Sequence, residues 1–519
     1  MDRRQYLRSI AGLATMPWAD ALLPRLAGAA APACAGTDAA SAGAAAGECA
    51  DRADRLARTA WQRNFADVPD VYGPTRVAFD KPLPDGLAGV LYRNGPARFH
   101  RGPTHYGHWF DGDGMIQSFS LAGRDLVHQG RMVRTAKFER EERAGRFLYP
   151  GFATSVPSPA RIDRPDDLNS ANISVLPIDG GLLALWEGGS PYRIDPASLA
   201  TLGRQTWSEE TDGMPFSAHP KRDVDGTVWS FGYMAGSGKL ALYRLDRRNR
   251  LTQAAVIEAR DVDMVHDFAI TRRYLVFVTM PFDYQRERND QAFYQRFRWN
   301  HERPSQVLLV DKATLTLVHR AELPGLAVFH FANAWDDGAQ VRVQLMQLDD
   351  FGAANDAIMS AMRGEPITRP THTRAVELRV DPRGGQATNT TLHPMAAEFP
   401  SIDPRRVGET HRYVFAATRS EDMPDAVFGF DAIARLDTRR GTPERYVFGA
   451  TALAEEPLYV PRPGGAEGAG WVLATAYDFA AERTTLHVFD AQAVDAGPLC
   501  RATLPYGLPL GLHGAFVPA

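Results

Sequence analysis

Cysteine is almost missing from this chain: three residues in 519, of which Cys34 and Cys49 stand within the first fifty positions. No disulfide framework can hold the remainder, and no thiolate cluster is available to a metal, so any ligands must be nitrogen or oxygen. Long apolar runs are missing too. Nowhere do 18 apolar residues follow one another, and no spanning helix is expected. Charge of one sign is not in excess: 58 Lys and Arg against 62 Asp and Glu leave a formal −4 without a basic stripe, which excludes nucleic acid as an expected partner. A Gly-rich phosphate loop and a dinucleotide fingerprint are both lacking, so no organic cofactor is expected. Abundant instead are turn formers, 45 Gly and 36 Pro, which many short strands need.

Those strands repeat. An apolar stretch ending in Asp, or once in Ala-Gly, is followed within a few residues by a second strand, the signature of a β-hairpin. It occurs at SFSLAG (Leu121), YRID (Asp195), YRLD (Asp246), LLVD (Asp311), LRVD (Asp381), ARLD (Asp437) and HVFD (Asp490), seven times at spacings of 74, 51, 65, 70, 56 and 53 residues. Seven hairpins of blade length predict an all-β, seven-bladed β-propeller. A large sandwich or a pair of β domains is the rival architecture. An α/β fold is removed by the lack of long apolar helical runs between the units.

Four histidines fall into different units of this repeat: His219 (FSAHP), His266 (MVHDF), His330 (VFHFAN) and His513 (GLHG). A lone histidine in apolar surroundings is ordinarily a satisfied core or turn residue. One per blade is another matter. Inner strands line the central channel of a propeller, so imidazoles far apart in sequence can converge on the axis and hold a metal there, beneath helical and loop insertions that cap the top face. Imidazole suits iron, copper, zinc or nickel without choosing among them. Three glutamates stand in contexts too apolar for ordinary surface acids, namely Glu187 (LALWEGG), Glu398 (AAEFPSID) and Glu456 (EEPLYVPRP). Metal-bound imidazoles usually pass their second N–H to a carboxylate, and a buried glutamate needs a partner. A strand-end or turn carboxylate in water is the alternative for each.

The chain opens differently. Residues 1–50 pair Arg3 and Arg4 before a mildly apolar stretch and continue as an Ala/Gly-rich segment without strand pattern, which resembles a twin-arginine export signal and a linker, with the domain proper over 51–519. Export to the periplasm is expected on that reading. A flexible tail on a cytoplasmic protein is the alternative.

Many further motifs run in order from Trp61 to the C-terminus: YRNGP, HWFDGDGM, VRTAKFEREERAGR, LALWEGGSPYRIDP, FSAHPKRD, VHDFAIT, FRWN, FHFANAWDD, EFPSID, EPLYVPRP and GLPLGLHGAFVP. Through them the chain resembles the carotenoid cleavage oxygenase family, whose members include lignostilbene dioxygenases and the retinoid isomerohydrolase. The resemblance implies one Fe(II) per chain on His219, His266, His330 and His513. It also implies that Glu187, Glu398 and Glu456 accept from three of them, expected to be His266, His330 and His513, leaving His219 without a carboxylate. The Asp-Gly pairs of HWFDGDGM read as a tight turn between strands in preference to a calcium or acid/base pair.

The reaction so implied is oxidative cleavage of a conjugated C=C bond by dioxygen into two carbonyl products. An elongated carotenoid or apocarotenoid would need an apolar cleft and a peripheral contact with a membrane surface, to which Gly145–Pro159 could contribute. A phenolic stilbene would need Tyr106 and Lys137, which fall where lignostilbene-cleaving relatives place a tyrosine and a lysine. Phe216, Phe268, Phe331 and Trp335, near the histidines, are candidates to line either cleft or to pack the core. Two rivals differ in class: an iron enzyme that isomerises or hydrolyses an ester, and a non-catalytic exported propeller that binds a ligand on its top face. No obligate protein partner is indicated.

Overall fold

A computed structural model describes residues 60–288, 291–369, 371–439 and 442–519. The expected export signal and linker over 1–50, with Cys34 and Cys49, lie outside the described residues. Among the described residues, seven antiparallel sheets of four or five strands form the blades of a propeller, beside two small two-stranded ribbons. Blade I runs Val71–Ala78, Asp125–Met132, Asp113–Ala122, Gly89–Arg98 and, innermost, His513–Pro518. The last strand of the chain thus closes the ring by pairing with an early one, His513 facing Asn94 in register.

Blades II to VII follow in chain order, each starting from its axial strand. Those first strands are Ser174–Ile178 in II, Lys221–Arg222 in III, Ala269–Ile270 in IV, Ala327–Asp336 in V, Ala397–Ser401 in VI, and the broken pair Ala452–Ala454 and Leu458–Pro461 in VII. All seven expected hairpins are present, and each is the third strand of a blade's chain-order run with its successor. In blade I that hairpin is covered by Val71–Ala78.

The blades read as continuous apolar runs because each is buried on both faces. In blade IV, Val276 and Val278 of Tyr274–Thr279 and Val307 and Leu309 of Ser305–Asp311 pack against Val343 and Leu378 of blade V. The alternate residues Leu275, Phe277, Leu308 and Val310 pack against Phe231 and Leu242 of blade III. Period-two alternation therefore sorts side chains between two neighbours instead of between core and water. Burying each such side chain is worth about 1.5–3 kcal/mol, so the interfaces between blades carry the ring.

Insertions cap one end. Helix α1 (Ala136–Ala144) starts at Thr135, whose side chain accepts from the Phe138 N–H, and stops at Gly145 in the left-handed region at φ 61°. Helix α2 (Phe351–Arg363), inserted in blade V, starts at Asp350 and buries Ala354, Ala357, Ile358 and Ala361 at helical spacing. HWFDGDGM corrects the expected turn: Trp109–Asp111 is one turn of 3-10 helix, and the strand begins at Asp113. Both aspartates are buried, because their oxygens serve internal partners. Asp111 accepts from Ala153 N and the Thr154 hydroxyl, and Asp113 pairs with Arg101 and Lys137.

Several imidazoles are buried in neutral surroundings. Burial pushes His108 and His128 down to about 3, and His411 and His487 to about 4, from the 6.5 of an ordinary imidazole. Between these values and 6.5 the unfolded chain binds protons that the folded one refuses, so stability falls as pH falls. Asp111, pushed up to about 6 by burial, acts in the opposite sense, losing stability as pH rises through that value. Burial raises Asp67, Glu141 and Asp263 as well, but carboxylates that hydrogen bonds hold below the usual range, Asp246 and Asp337 among them, act in the same sense as the imidazoles. The melting temperature followed by circular dichroism is therefore expected to be clearly lower at about pH 4.5 than at pH 7; an equal or higher value would contradict this burial.

Candidate metal centre and substrate cavity

The four histidines meet on the propeller axis. Their candidate ligand atoms all lie within 4.8 Å of one another, with His219 Nε2 and His266 Nε2 2.9 Å apart. The rings of His219 and His330 each come within 5.2 Å of all three others. Each arrives on a different axial strand or just before one: His219 ahead of Lys221–Arg222, His266 ahead of Ala269–Ile270, His330 within Ala327–Asp336, and His513 at the start of His513–Pro518.

The other three blades supply carboxylates. Glu187 follows Gly181–Leu185 of blade II, Glu398 lies in Ala397–Ser401 of blade VI, and Glu456 lies between the two inner segments of blade VII. His266 Nδ1 meets Glu187 Oε2 at 2.7 Å, His330 Nδ1 meets Glu398 Oε2 at 2.5 Å, and His513 Nδ1 meets Glu456 Oε1 at 2.9 Å. An Nδ1–H that donates to a carboxylate leaves the lone pair on Nε2, aimed at the axis. Among the described residues no carboxylate accepts from the His219 ring; its backbone N–H donates to Ser217 Oγ at 2.9 Å.

Local backbone irregularity sets these directions. The strand carrying His330 shifts register twice, between Val328 and Phe331 and between Phe331 and Asn333, and the strand carrying Glu398 shifts between Glu398 and Ser401. Bulges of this kind re-aim a side chain that regular pleating would send sideways. Phe399, at φ 55°, returns its N–H to Glu398 Oε2 at 2.8 Å. On the closing strand, Gly514 donates to Glu456 Oε2 at 2.7 Å, and a Cβ there would lie 2.6 Å from the Tyr92 carbonyl oxygen. Arg93 completes this corner: it donates to the carbonyls of Glu456 and Leu512 and pairs with Glu455 at 3.1 Å.

The electrostatics suit a cation. Burial, then the neighbouring imidazoles, hold His219 well below its ordinary value, so it presents a neutral nitrogen. Burial lowers His513 further than Glu456 raises it, whereas at His330 burial is outweighed by Glu398 together with the more distant Asp267 and Glu456, and the ring is raised. His330 Nε2 is buried without a hydrogen-bond partner. Two lone-pair nitrogens 2.9 Å apart beside an orphaned third, backed by three carboxylates, form a seat for a positive charge. Metal–imidazole bonds of about 2.1 Å put adjacent donors about 3.0 Å and opposed donors about 4.2 Å apart, so the observed spread fits one ion with little movement.

A cavity of about 300 Å³ opens onto this seat, and His266, His330 and His513 are in its wall while His219 is not. The wall is aromatic: Phe110, Phe152, Trp186, Phe329, Phe399 and Phe428 line it, and α2 adds Ala354, Ala357 and Ile358. Among the residues proposed from sequence, Lys137 is on the wall, its Nζ held by Asp113 at 2.7 Å and Glu141 at 3.0 Å. Those carboxylates outweigh burial and hold its ammonium well above the ordinary lysine range. Tyr106 is fully buried behind the wall, stacked on Phe147 at 3.7 Å.

The other four aromatic candidates pack between blades. Phe216 lies against Trp207 and Tyr243, Phe268 against Phe231 and Phe277, Phe331 in the core shared by blades IV and V, and Trp335 against His411. An axial residue's neighbour in a strand points sideways, into the gap between blades. Phe329 and Phe399 are exceptions, each brought to the cavity beside a bulge. Of the wall residues missed in sequence, only the i, i+3, i+4 pattern of Ala354, Ala357 and Ile358 was a readable signal. From the expected entrance segment, Pro150, Gly151 and Phe152 reach the wall.

Comparison with known proteins agrees with this geometry. The family model described as retinal pigment epithelial membrane protein matches residues 71–518. Apocarotenoid-15,15'-oxygenase of Synechocystis is 29% identical over 483 residues, covering 88% of this chain and 96% of that one. An isoeugenol monooxygenase of Pseudomonas nitroreducens is 29% identical over 479 residues, covering 88% and 98%. The crystal structure of cobalt-substituted Synechocystis apocarotenoid oxygenase superposes with a TM-score of 0.79 at 27% identity, covering 89% of this chain and 99% of that one.

Glu398→Gln keeps the shape of the carboxylate and removes its charge. We expect metal affinity about 10- to 100-fold below wild type, read by competition with a chelator. Unchanged affinity would mean that the His330 contact does not orient a ligand.

Proposed function

The chain belongs to the retinal pigment epithelial membrane protein family of carotenoid cleavage oxygenases, and from that premise we propose that it is a non-haem Fe(II) dioxygenase that cleaves a conjugated C=C bond of an apocarotenoid-like polyene. The observation that carries the reading is the aromatic cavity whose wall includes three of the four imidazoles. Such a wall holds an elongated apolar chain by burial and directs one double bond to the seat. The balance is one alkene plus one dioxygen giving two carbonyl compounds, with no proton gained or lost. No side chain need act as nucleophile or base, in keeping with a wall without a serine–histidine or cysteine–histidine pair at the seat.

Ferrous iron, held by His219, His266, His330 and His513, would supply the dioxygen chemistry that side chains cannot. The protein's own part is positional. Glu187, Glu398 and Glu456 fix three rings with Nε2 inward, and neutral His219 adds a fourth donor without charge. Phe329 and Phe399, packed edge-on to His266 and tilted against His330, keep bulk water from the seat on the cavity side. A phenolic alkene is the second reading, favoured by the Lys137 ammonium on the wall, which could meet a phenolate.

Iron-loaded protein under ¹⁸O-labelled dioxygen, offered an apocarotenoid and a 4-hydroxystilbene, should yield ¹⁸O-labelled aldehydes from the polyene. Aldehydes from the stilbene alone would select the phenolic reading. Unlabelled isomer or alcohol would select the isomerising branch, and no product from an iron-replete protein would favour the binding-protein reading.

We propose in addition that the protein is exported, supported by the Arg3–Arg4 pair ahead of the apolar stretch. Replacing both with Lys should retain the chain in the cytoplasm of a bacterial host. Unchanged fractionation would refute it.

A further inference from the structure

Asp267 follows the candidate ligand His266, and it does not point into the cavity: neither it nor Lys221 is among the wall residues. It is nonetheless buried, with 3% of its surface exposed, and its carboxylate is fully engaged. Oδ1 accepts from its neighbour Phe268 N at 2.7 Å and pairs with Lys221 Nζ at 2.7 Å. Oδ2 accepts from Phe331 N at 2.9 Å. Phe331 follows His330, and Lys221 stands two residues after His219. One carboxylate therefore grips the backbone or side chain next to three of the four imidazoles, on three successive blades.

The Phe331 N–H is available because of the bulge. Register breaks on either side of Phe331, so the ladder that would normally take its neighbours' amides is interrupted there. A buried amide without a partner is costly, and Asp267 supplies the acceptor. The bulge that turns His330 to the axis is thus held by a residue of the preceding blade. Lys221 balances the buried charge, which would otherwise be expensive.

We propose that Asp267, with Lys221, is a positioning clamp for the metal centre that fixes the spacing of His219, His266 and His330 from the side away from the substrate. The clamp touches no imidazole, and it differs from the three glutamates in acting through backbone instead of through a ring nitrogen. It rests on the metal-binding reading, and its test separates the two.

Metal-free wild type, Asp267→Ala, Asp267→Asn and Lys221→Gln would be titrated with Co(II), recording the dissociation constant and the visible ligand-field spectrum, with thermal unfolding of each metal-free protein alongside. Asp267→Ala is expected to bind about 10- to 100-fold more weakly with a changed spectrum, as losses just outside a ligand set do. Asp267→Asn, which keeps an oxygen for Phe331 N but no charge for Lys221, should recover part of the affinity. Wild-type affinity and spectrum in Asp267→Ala would overturn the clamp. So would a loss of affinity that merely tracks a lower melting temperature and is not relieved in Asp267→Asn. If Asp267→Ala fails to fold, Lys221→Gln decides: weaker binding with a shifted spectrum supports the clamp, and an unchanged titration overturns it. Failure of the wild type itself to take up Co(II) would refute metal binding, and the clamp with it.

Discussion

Three hydrogen bonds, His266 to Glu187, His330 to Glu398 and His513 to Glu456, decide which nitrogen of each ring faces the axis. Without them the imidazoles could present either nitrogen or rotate away, and the site would be four rings near one another with no defined centre. Every one of these bonds crosses between blades: II to IV, VI to V, and VII to I. The site is accordingly a property of the closed ring, since no blade carries both halves of a pair. Seven blades supply seven residues, one each, four as imidazole and three as carboxylate.

Closure of the ring and assembly of the site are the same event at the chain's end. His513 is the first residue of the strand that completes blade I, and the corner around it is crowded with internal bonds: Arg93 to the carbonyls on both sides, Glu455 to Arg93 and the Gly511 amide, Gly514 to Glu456. A glycine is required at 514 because the Tyr92 carbonyl occupies the space of a side chain. The last strand cannot slip by one residue without taking His513 off the axis and its glutamate off its partner.

Much of this was legible in the sequence, for a physical reason. The outer hairpin of each blade ends in Asp or a small residue because a tight reversal needs one, so the hairpins could be counted and the blade number read. The histidines could be assigned to separate units by position alone. What sequence could not carry was side-chain direction at the axis. Strand alternation sends Phe268 and Phe331 between blades, whereas a bulge brings Phe329 to the cavity, and a bulge leaves no mark in composition. HWFDGDGM misled for a related reason. Asp-Gly usually means an exposed turn, yet here Asp111 and Asp113 are buried acceptors that tie the cap to blade I, and only their partners, 42 residues on at Ala153 and at Lys137 of α1, disclose it.

The cap explains how an apolar cavity can sit beside so many buried charges. Asp113, Glu141, Lys137 and Arg101 neutralise one another under α1, and Glu141 also takes the amides of Leu148 and Tyr149, where the chain turns toward Phe152. Each charge there has an internal partner, and the wall sets its aromatic side chains beside the charged residues Asp111, Lys137, Arg419 and Asp425. At the floor three carboxylates back the rings of His266, His330 and His513 on the side away from the axis. Four imidazoles whose candidate ligand atoms lie within 4.8 Å of one another suit a single metal ion, which can accept several lone pairs at once where a side-chain cation cannot.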